Sequence, residues 1–334
     1  MPPATASNIS IAISGASGMV GSFLVNYLQN DYEIKALVRQ SSDLKSISEA
    51  RSQIWRVDFN DEAQLKHALD FVDVVIHAAG FVNPHASRQE IYAVNVDTTK
   101  RLLQASVAAG VKQFIHISSL SVLTGQEDQF NVDESAPTRY CGEAYADSKV
   151  DAEKLVEGYS NKIATTILRP GFIYGPGERA WLSKLIASLQ QGNVMLVDGG
   201  SKETNVIYVG NLAKAVKASI LNDTAYGQAY NLTDGQNISK KMLFDTICSE
   251  LKLPRVKKRV PGFLAKGMCE TVSLFYPVLP ARLQNKLGRF SRAAYRLVGV
   301  NQGFSIDKAV RDLNYAQRVD FKEAMSSTLK HFGA

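Results

Sequence analysis

The stretch "ISIAISGASGMVGSFLVNYL", residues 9 to 28, limits the fold more than any other part of the chain. An apolar strand from Ile9 to Ile13 runs straight into a glycine turn and then an amphipathic helix, with a second strand ending near Val38. Gly15, Gly18 and Gly21 have the spacing GxxGxxG. In a strand–turn–helix–strand context this spacing has a physical use: the first glycine takes the tight turn, the second lets a pyrophosphate approach the backbone, and the third lets the helix pack close to the sheet. The free N–H groups and dipole at the helix N-terminus then favour an anion.

The pattern repeats along the chain. "QIWRVDFND" reads as a third strand ending at Asp58, "VDVVIHAAG" as a fourth ending at Ala78 and "VKQFIHISS" as a fifth ending at Ser118, with helical segments between them. Such alternation predicts an α/β fold with a Rossmann-type doubly wound parallel sheet, whose ligands sit at the carboxyl ends of the strands. The chain divides into a nucleotide-binding domain over residues 1–180 and a smaller, mainly substrate-binding portion over 181–334, with 205–235 returning to the first.

At the end of the second strand, dinucleotide sites place either an acid against a ribose 2′-hydroxyl or an Arg against a 2′-phosphate. Here Val38 holds the acid position and Arg39 follows, with Ser41 and Ser42 as further donors. This favours NADP(H) and leaves NAD(H) open.

Further along, "EAYADSKVDAEKL" puts Tyr145 and Lys149 four residues apart on a helical pattern. That spacing places both on one face. An unperturbed phenol, with a pKa of about 10, is a poor base at neutral pH, and a nearby ammonium together with the positive ring of an oxidised nicotinamide would lower it. With Ser119 as third member, Tyr145 exchanges a proton with a substrate oxygen, Lys149 tunes it and holds the nicotinamide ribose, and Ser119 orients the substrate.

The order of these pieces resembles the extended short-chain dehydrogenase/reductase superfamily over nearly the whole chain. The similarity rests on "SGASGMVG", "VDF" at 57 to 59, "HAAG", "VNVDTT", "FIHISS", "YADSK", "RPGFIYGPG", "IYVGNLAKA", "YNLTDGQNIS" and "FSIDKAVRDLNY". Carried over residue by residue, the resemblance implies Ser119, Tyr145 and Lys149 as catalytic, with Ser118 and Ser121 as fallback serines. It implies cofactor contacts from Ser17, Met19 and Val20 among the glycines, from Asp58 and Phe59, from Ala78, Ala79 and Gly80, and from Asn95 and Pro170. Tyr174 is a further candidate for substrate or cofactor contact.

Within the superfamily, sugar-nucleotide enzymes usually carry an Asn where this chain has Phe172 in "RPGFIYGP". "LRPGFIYGPG" and "NVIYVGNLAKA" look more like the 3β-hydroxysteroid dehydrogenase branch, with dihydroflavonol-reductase-like carbonyl reductases as neighbours. The resemblance therefore implies a secondary alcohol/ketone oxidoreductase acting on a small hydrophobic, sterol-like molecule, working as a homodimer or a monomer. The alternatives are a sugar-nucleotide epimerase/dehydratase and a non-enzymatic NADP-binding redox sensor.

Charge is uneven. Residues 251 to 300 hold eleven Lys or Arg against one acid, Glu270, in a chain whose total net charge is +6. The same region mixes in Phe263, Leu264, Met268, Leu274 and Phe275, so 255–296 reads either as a peripheral membrane contact or as a lid over an apolar pocket. Its longest uncharged run, Thr271 to Ala281, spans eleven residues with two prolines, well below the ~20 needed to cross a bilayer. No nucleic-acid recognition module accompanies the basic charge. Cys141, Cys248 and Cys269 lack metal-ligand spacing, and "MPPATASNIS" carries no basic or apolar leader, so a metal-free cytoplasmic protein is expected.

Overall fold

The structure is a computed structural model that describes residues 9–47, 52–83, 86–124, 127–275, 280, 295, 298–330 and 332. Its centre is a seven-stranded sheet in which every pairing is parallel. The strands are β1 (Ser10–Ser14), β2 (Glu33–Val38), β3 (Ser52–Arg56), β4 (Val74–His77), β5 (Gln113–Ile117), β7 (Ala164–Pro170) and β11 (Gln228–Leu232). Their order is β11-β7-β5-β4-β1-β2-β3. Strand order reverses between β1 and β4, which opens the crevice where such sheets take their ligands.

Both faces of the sheet are covered, which explains its nearly unbroken apolar strands. On one face α1 (Met19–Leu28), α7 (Val209–Ser219) and α10 (Asp307–Asp312) contribute Leu24, Leu212 and Ala309 to one core. On the other, α2 (Glu62–Ala68), α4 (Thr98–Ala108) and α5 (Ala144–Gly158) contribute Leu65, Leu102 and Val156 to a second. The third, fourth and fifth strands stop one or two residues before the ends expected from sequence. Single ladder bonds continue past them, from Val57 N–H to Val38, Ala78 N–H to Ser14 and Ser118 N–H to Leu168.

A third core lies beside the sheet. It is built by β8 (Phe172–Tyr174), α6 (Leu182–Gln190), β9 (Leu196–Val197), β10 (Val206–Tyr208), α8 (Lys240–Glu250) and α11 (Phe321–Leu329), with Tyr174, Ile186, Phe244 and Phe321 at its centre. Two short parallel pairs tie loops together. β6 (Gln129–Val132) pairs with β13 (Gln302–Phe304), and β12 (Arg259–Val260) pairs with β9 just before α9 (Gly262–Phe275). Part of the basic apolar region read from sequence, including most of 276–297, lies outside the described residues.

Candidate active site

Helix α5 carries one column of candidate side chains, Tyr145, Lys149 and Glu153, each four residues from the last. Lys149 and Glu153 are buried, while Tyr145 keeps some access to solvent. The entry to the helix is fixed by Asp147 in its first turn. The Asp147 carboxylate accepts from the N–H groups of Cys141 at 2.9 Å and Gly142 at 3.2 Å, and Arg88 donates to it at 3.1 Å.

Lys149 bridges two strand ends. Its ammonium donates to the carbonyl of Ile117 at 2.9 Å. It also lies over Gly80, where a Cβ would stand 3.5 Å from Nζ. Burial lowers its pKa to about 8, opposed by the Glu153 carboxylate. Glu153 is in turn paired with Arg169 of β7 at 2.7 Å and accepts from the Ser118 hydroxyl. Ser118 therefore points at α5, while Ser119 is only partly buried.

Ser119 has extended backbone and its Oγ accepts from Ser121 N–H at 3.1 Å, which fixes the rotamer. Its hydroxyl stands beside the Tyr145 phenol and favours the ionised form of that group. The sequence reading expects Lys149 to lower that phenol. The structure differs: burial pushes the phenol up, and the group opposing burial is Ser119. Periodicity shows that two side chains share a face but not how dry that face is.

The glycine turn meets the strand-end alanines closely. Gly15 has φ +70°, and a Cβ on it would lie 2.6 Å from backbone atoms of Ala79. Gly21 abuts the Gly15 backbone, with room for no side chain. Gly18 is the N-cap of α1 and offers no side-chain cap, so the first N–H groups of the helix remain open beside Ser17, Met19 and Val20. A backbone cradle that a Cβ would fill, ending in an uncapped helix N-terminus, fits the pyrophosphate of a dinucleotide.

Around this cradle stand the other residues singled out from sequence. Ser42 ties the loop after β2 to the turn: its Oγ accepts from Arg39 N–H at 3.1 Å and from the Ser17 hydroxyl at 3.2 Å. The Arg39 side chain is exposed, and the structure gives it no ion pair among the described residues. Asp58 is also exposed, with Oδ1 engaged by the backbone N–H of Asn60 at 2.9 Å. Phe59 packs on the second core, and Pro170 is buried at the end of β7.

Asn95 sits in a single π-helical turn, Ala93–Asp97, between α3 (Arg88–Tyr92) and α4. Its amide accepts from Phe81 N–H at 2.7 Å and donates to Phe81 C=O at 3.2 Å and to Ser148 Oγ at 2.9 Å. It therefore works by locking the loop after Gly80 onto α5. Tyr174 is placed differently from the sequence expectation. It is fully buried in the third core and donates to Asp234 at 2.7 Å, so it faces neither crevice nor solvent. His77 and His116 are also fully buried, and burial together with the Lys149 charge holds both imidazoles neutral, His77 at about 3.

Sequence reasoning missed four supporting residues: Asp147, Glu153, Arg169 and Arg56. Arg56 donates to the carbonyls of Arg39 and Gln40 at 3.2 and 2.5 Å and so shapes the loop after β2. Glu153 alone carried a readable signal, standing one helical turn beyond Lys149 on the same face.

The model of the 3-beta hydroxysteroid dehydrogenase/isomerase family matches residues 12–260. A 3-beta-hydroxysteroid dehydrogenase of Mycolicibacterium neoaurum is 28% identical over 345 residues, covering 96% of this chain and 91% of the relative. A 4-hydroxy-2-methyl-3-oxo-4-farnesyl-3,4-dihydroquinoline-1-oxide ketoreductase of Stigmatella aurantiaca is 26% identical, covering 94% of each chain. Among solved structures, a UDP-glucuronic acid 4-epimerase from Bacillus cereus in complex with NAD shares the fold, with TM-score 0.74, 19% identity, and coverage of 97% of this chain and 98% of that one.

Proposed function

The chain belongs to the 3-beta hydroxysteroid dehydrogenase/isomerase family, and on that premise we propose that it is a nicotinamide-dependent oxidoreductase interconverting a secondary alcohol and a ketone on a hydrophobic, sterol-like molecule. One observation carries the proposal: a buried Lys149 spans Ile117 and Gly80 one helical turn from Tyr145, with the Ser119 hydroxyl beside that phenol. The two curated relatives support the substrate class by their names, a hydroxysteroid dehydrogenase and a ketoreductase of a farnesylated quinoline oxide.

A bound nicotinamide dinucleotide would supply the hydride chemistry. The chain's own residues do the rest. The turn from Gly15 to Gly21 and the open end of α1 would hold the pyrophosphate, with Ala78, Ala79 and Gly80 as the facing wall and Asp58 toward the adenine end. Lys149 would hold the ribose hydroxyls. Ser119 orients the substrate oxygen, and Tyr145 Oη exchanges its proton with that oxygen. Burial keeps the phenol protonated, which suits donation to a ketone; in the reverse direction the Ser119 hydroxyl opposes that shift. The finer cofactor assignment is NADP(H), because Val38 replaces an acid that would repel a 2′-phosphate and Arg39 stands free beside it.

A sugar-nucleotide epimerase is the main rival, and the solved relative from Bacillus cereus shows how far the fold serves that chemistry. Here Phe172 packs against Trp181 with ring centroids 5.8 Å apart and the planes tilted by 55°. An aromatic pair therefore occupies the place where a diphosphate-binding amide is expected. A redox sensor would have no use for a proton-exchanging Ser119–Tyr145 pair.

The experiment is a fluorescence titration of the purified protein with NADPH and NADH, followed by turnover with hydrophobic ketones and with sugar nucleotides. Oxidation of NADPH only with a ketone, lost in Tyr145→Phe while NADPH still binds, supports the proposal. Turnover of sugar nucleotides alone overturns it.

A further inference from the structure

Helix α9 is built inside out. Only three of its residues are buried, Gly262, Ala265 and Cys269, all small and forming one narrow stripe. At 100° per residue, the large apolar side chains Phe263, Leu264, Met268, Leu274 and Phe275 spread over the arc opposite that stripe. Phe263 is 75% and Leu274 71% exposed. An ordinary surface helix turns its apolar face inward and its polar face to water. Here polar and charged groups such as Lys266 and Glu270 take the flank.

The start of this helix is held firmly. β12 pairs with β9, and the Gly262 N–H donates to Asp198 Oδ1 at 2.6 Å; any Cβ at Gly262 would strike the same carboxylate. Immediately before it, Arg255, Lys257, Lys258 and Arg259 are all exposed. Glu270 is the only acid in the surrounding fifty residues against eleven Lys or Arg.

We propose that α9 is a peripheral docking element for an anionic lipid surface, its apolar arc entering the interface and the basic run at 255–259 lying against the headgroups. Charge decides between occupants. A second copy of this chain would bring two strongly basic segments together, whereas an anionic bilayer neutralises them and accepts the phenylalanines. Among the described residues no helix is long and apolar enough to cross a membrane, so the contact is with one leaflet. The inference is independent of the substrate.

The test is cosedimentation of the full chain with vesicles of phosphatidylcholine alone and of phosphatidylcholine mixed with phosphatidylglycerol. Binding to the anionic vesicles only is expected, weakening toward 1 M salt as the screening length shrinks to about 3 Å. Phe263→Ser with Phe275→Ser should lower the partition coefficient by about tenfold or more. Arg255→Glu with Lys257→Glu should do the same, with about a fivefold effect per residue. All four positions are exposed, so thermal unfolding of both variants should match the parent. No sedimentation with anionic vesicles, or equal binding by parent and the Phe263/Phe275 variant, overturns the proposal. So does light scattering that finds a dimer dissolved by Phe275→Ser, which would assign the face to a second copy.

Discussion

The Lys149 ammonium donates to the Ile117 carbonyl at 2.9 Å while covering Gly80, so one side chain joins the carboxyl ends of β4 and β5. Its pKa of about 8 lies below that of a free lysine because it is buried. Turnover should therefore fall on the alkaline side of about pH 8, as the ammonium that would hold the nicotinamide ribose loses its charge. Stability should move the other way. The unfolded chain, with a lysine pKa of about 10.4, binds the extra proton between about pH 8 and about pH 10, so this group favours folding as pH rises through that window. Lys149→Met should abolish turnover and flatten its share of that trend, read from kcat/KM profiles and from urea unfolding at the two ends of the window.

Asn95 holds both backbone polar groups of Phe81 and the Ser148 hydroxyl, which itself donates to Tyr145 C=O at 2.7 Å. Asn95→Leu strips three bonds and leaves the Phe81 N–H without this acceptor. A loss of about 1–3 kcal/mol of stability is expected from the unsatisfied group. Displacement of Gly80 should also weaken cofactor binding. Asn95→Asp keeps an acceptor for Phe81 N–H and should retain more cofactor affinity than Asn95→Leu. Equal affinity in the two variants would count against this positioning role.

The Glu153–Arg169 pair is buried on both sides and made through two guanidinium nitrogens, with Nε at 3.0 Å from Oε1 and Nη2 at 2.7 Å from Oε2. Removing one partner strands the other. Glu153→Leu or Arg169→Met alone should each cost about 3–5 kcal/mol. The double variant should cost far less than the sum, because neither charge is then left alone. Urea unfolding of all four proteins closes the cycle, and additive losses would show that the two residues act separately. Glu153 also opposes the lowering of the Lys149 pKa, so Arg169→Met should leave the alkaline limb of the pH profile in place while Glu153→Leu moves it toward lower pH.

What was legible in the sequence was local. The glycine turn could be read because strand, turn and helix lie within twenty residues and only a glycine takes the φ of Gly15 or the contact at Gly21. Tyr145 and Lys149 share a face by helical arithmetic alone. The contacts that hold them in place join distant parts of the chain: Asn95 reaches Ser148, Arg88 reaches Asp147, and Tyr174 finds Asp234. No periodicity encodes such pairs. The upward shift that the protein itself gives the phenol was hidden for a related reason, since it depends on burial, which is set by the whole fold. For α9 the composition was readable, but its orientation was not, because Gly262, Ala265 and Cys269 show themselves as the inner stripe only against Asp198 and the neighbouring strand.

Arg39 tests the cofactor assignment most directly. Its backbone is held through Ser42 and through Arg56, while its guanidinium stands exposed beside the turn. A charge-assisted bond to a 2′-phosphate contributes about 1.5–3 kcal/mol, so Arg39→Ala should weaken NADPH by about ten- to a hundredfold and leave NADH nearly unchanged. Because the site is open to solvent, added salt should erode NADPH affinity in the parent far more than in the variant. Arg39→Asp should go further and favour NADH, by repelling the phosphate and offering an acceptor to a 2′-hydroxyl. Titrations of the three proteins with both cofactors at two ionic strengths decide it. If Arg39→Ala changes NADPH and NADH alike, the guanidinium is merely solvated, and the selectivity must be sought in Ser41 and Ser42.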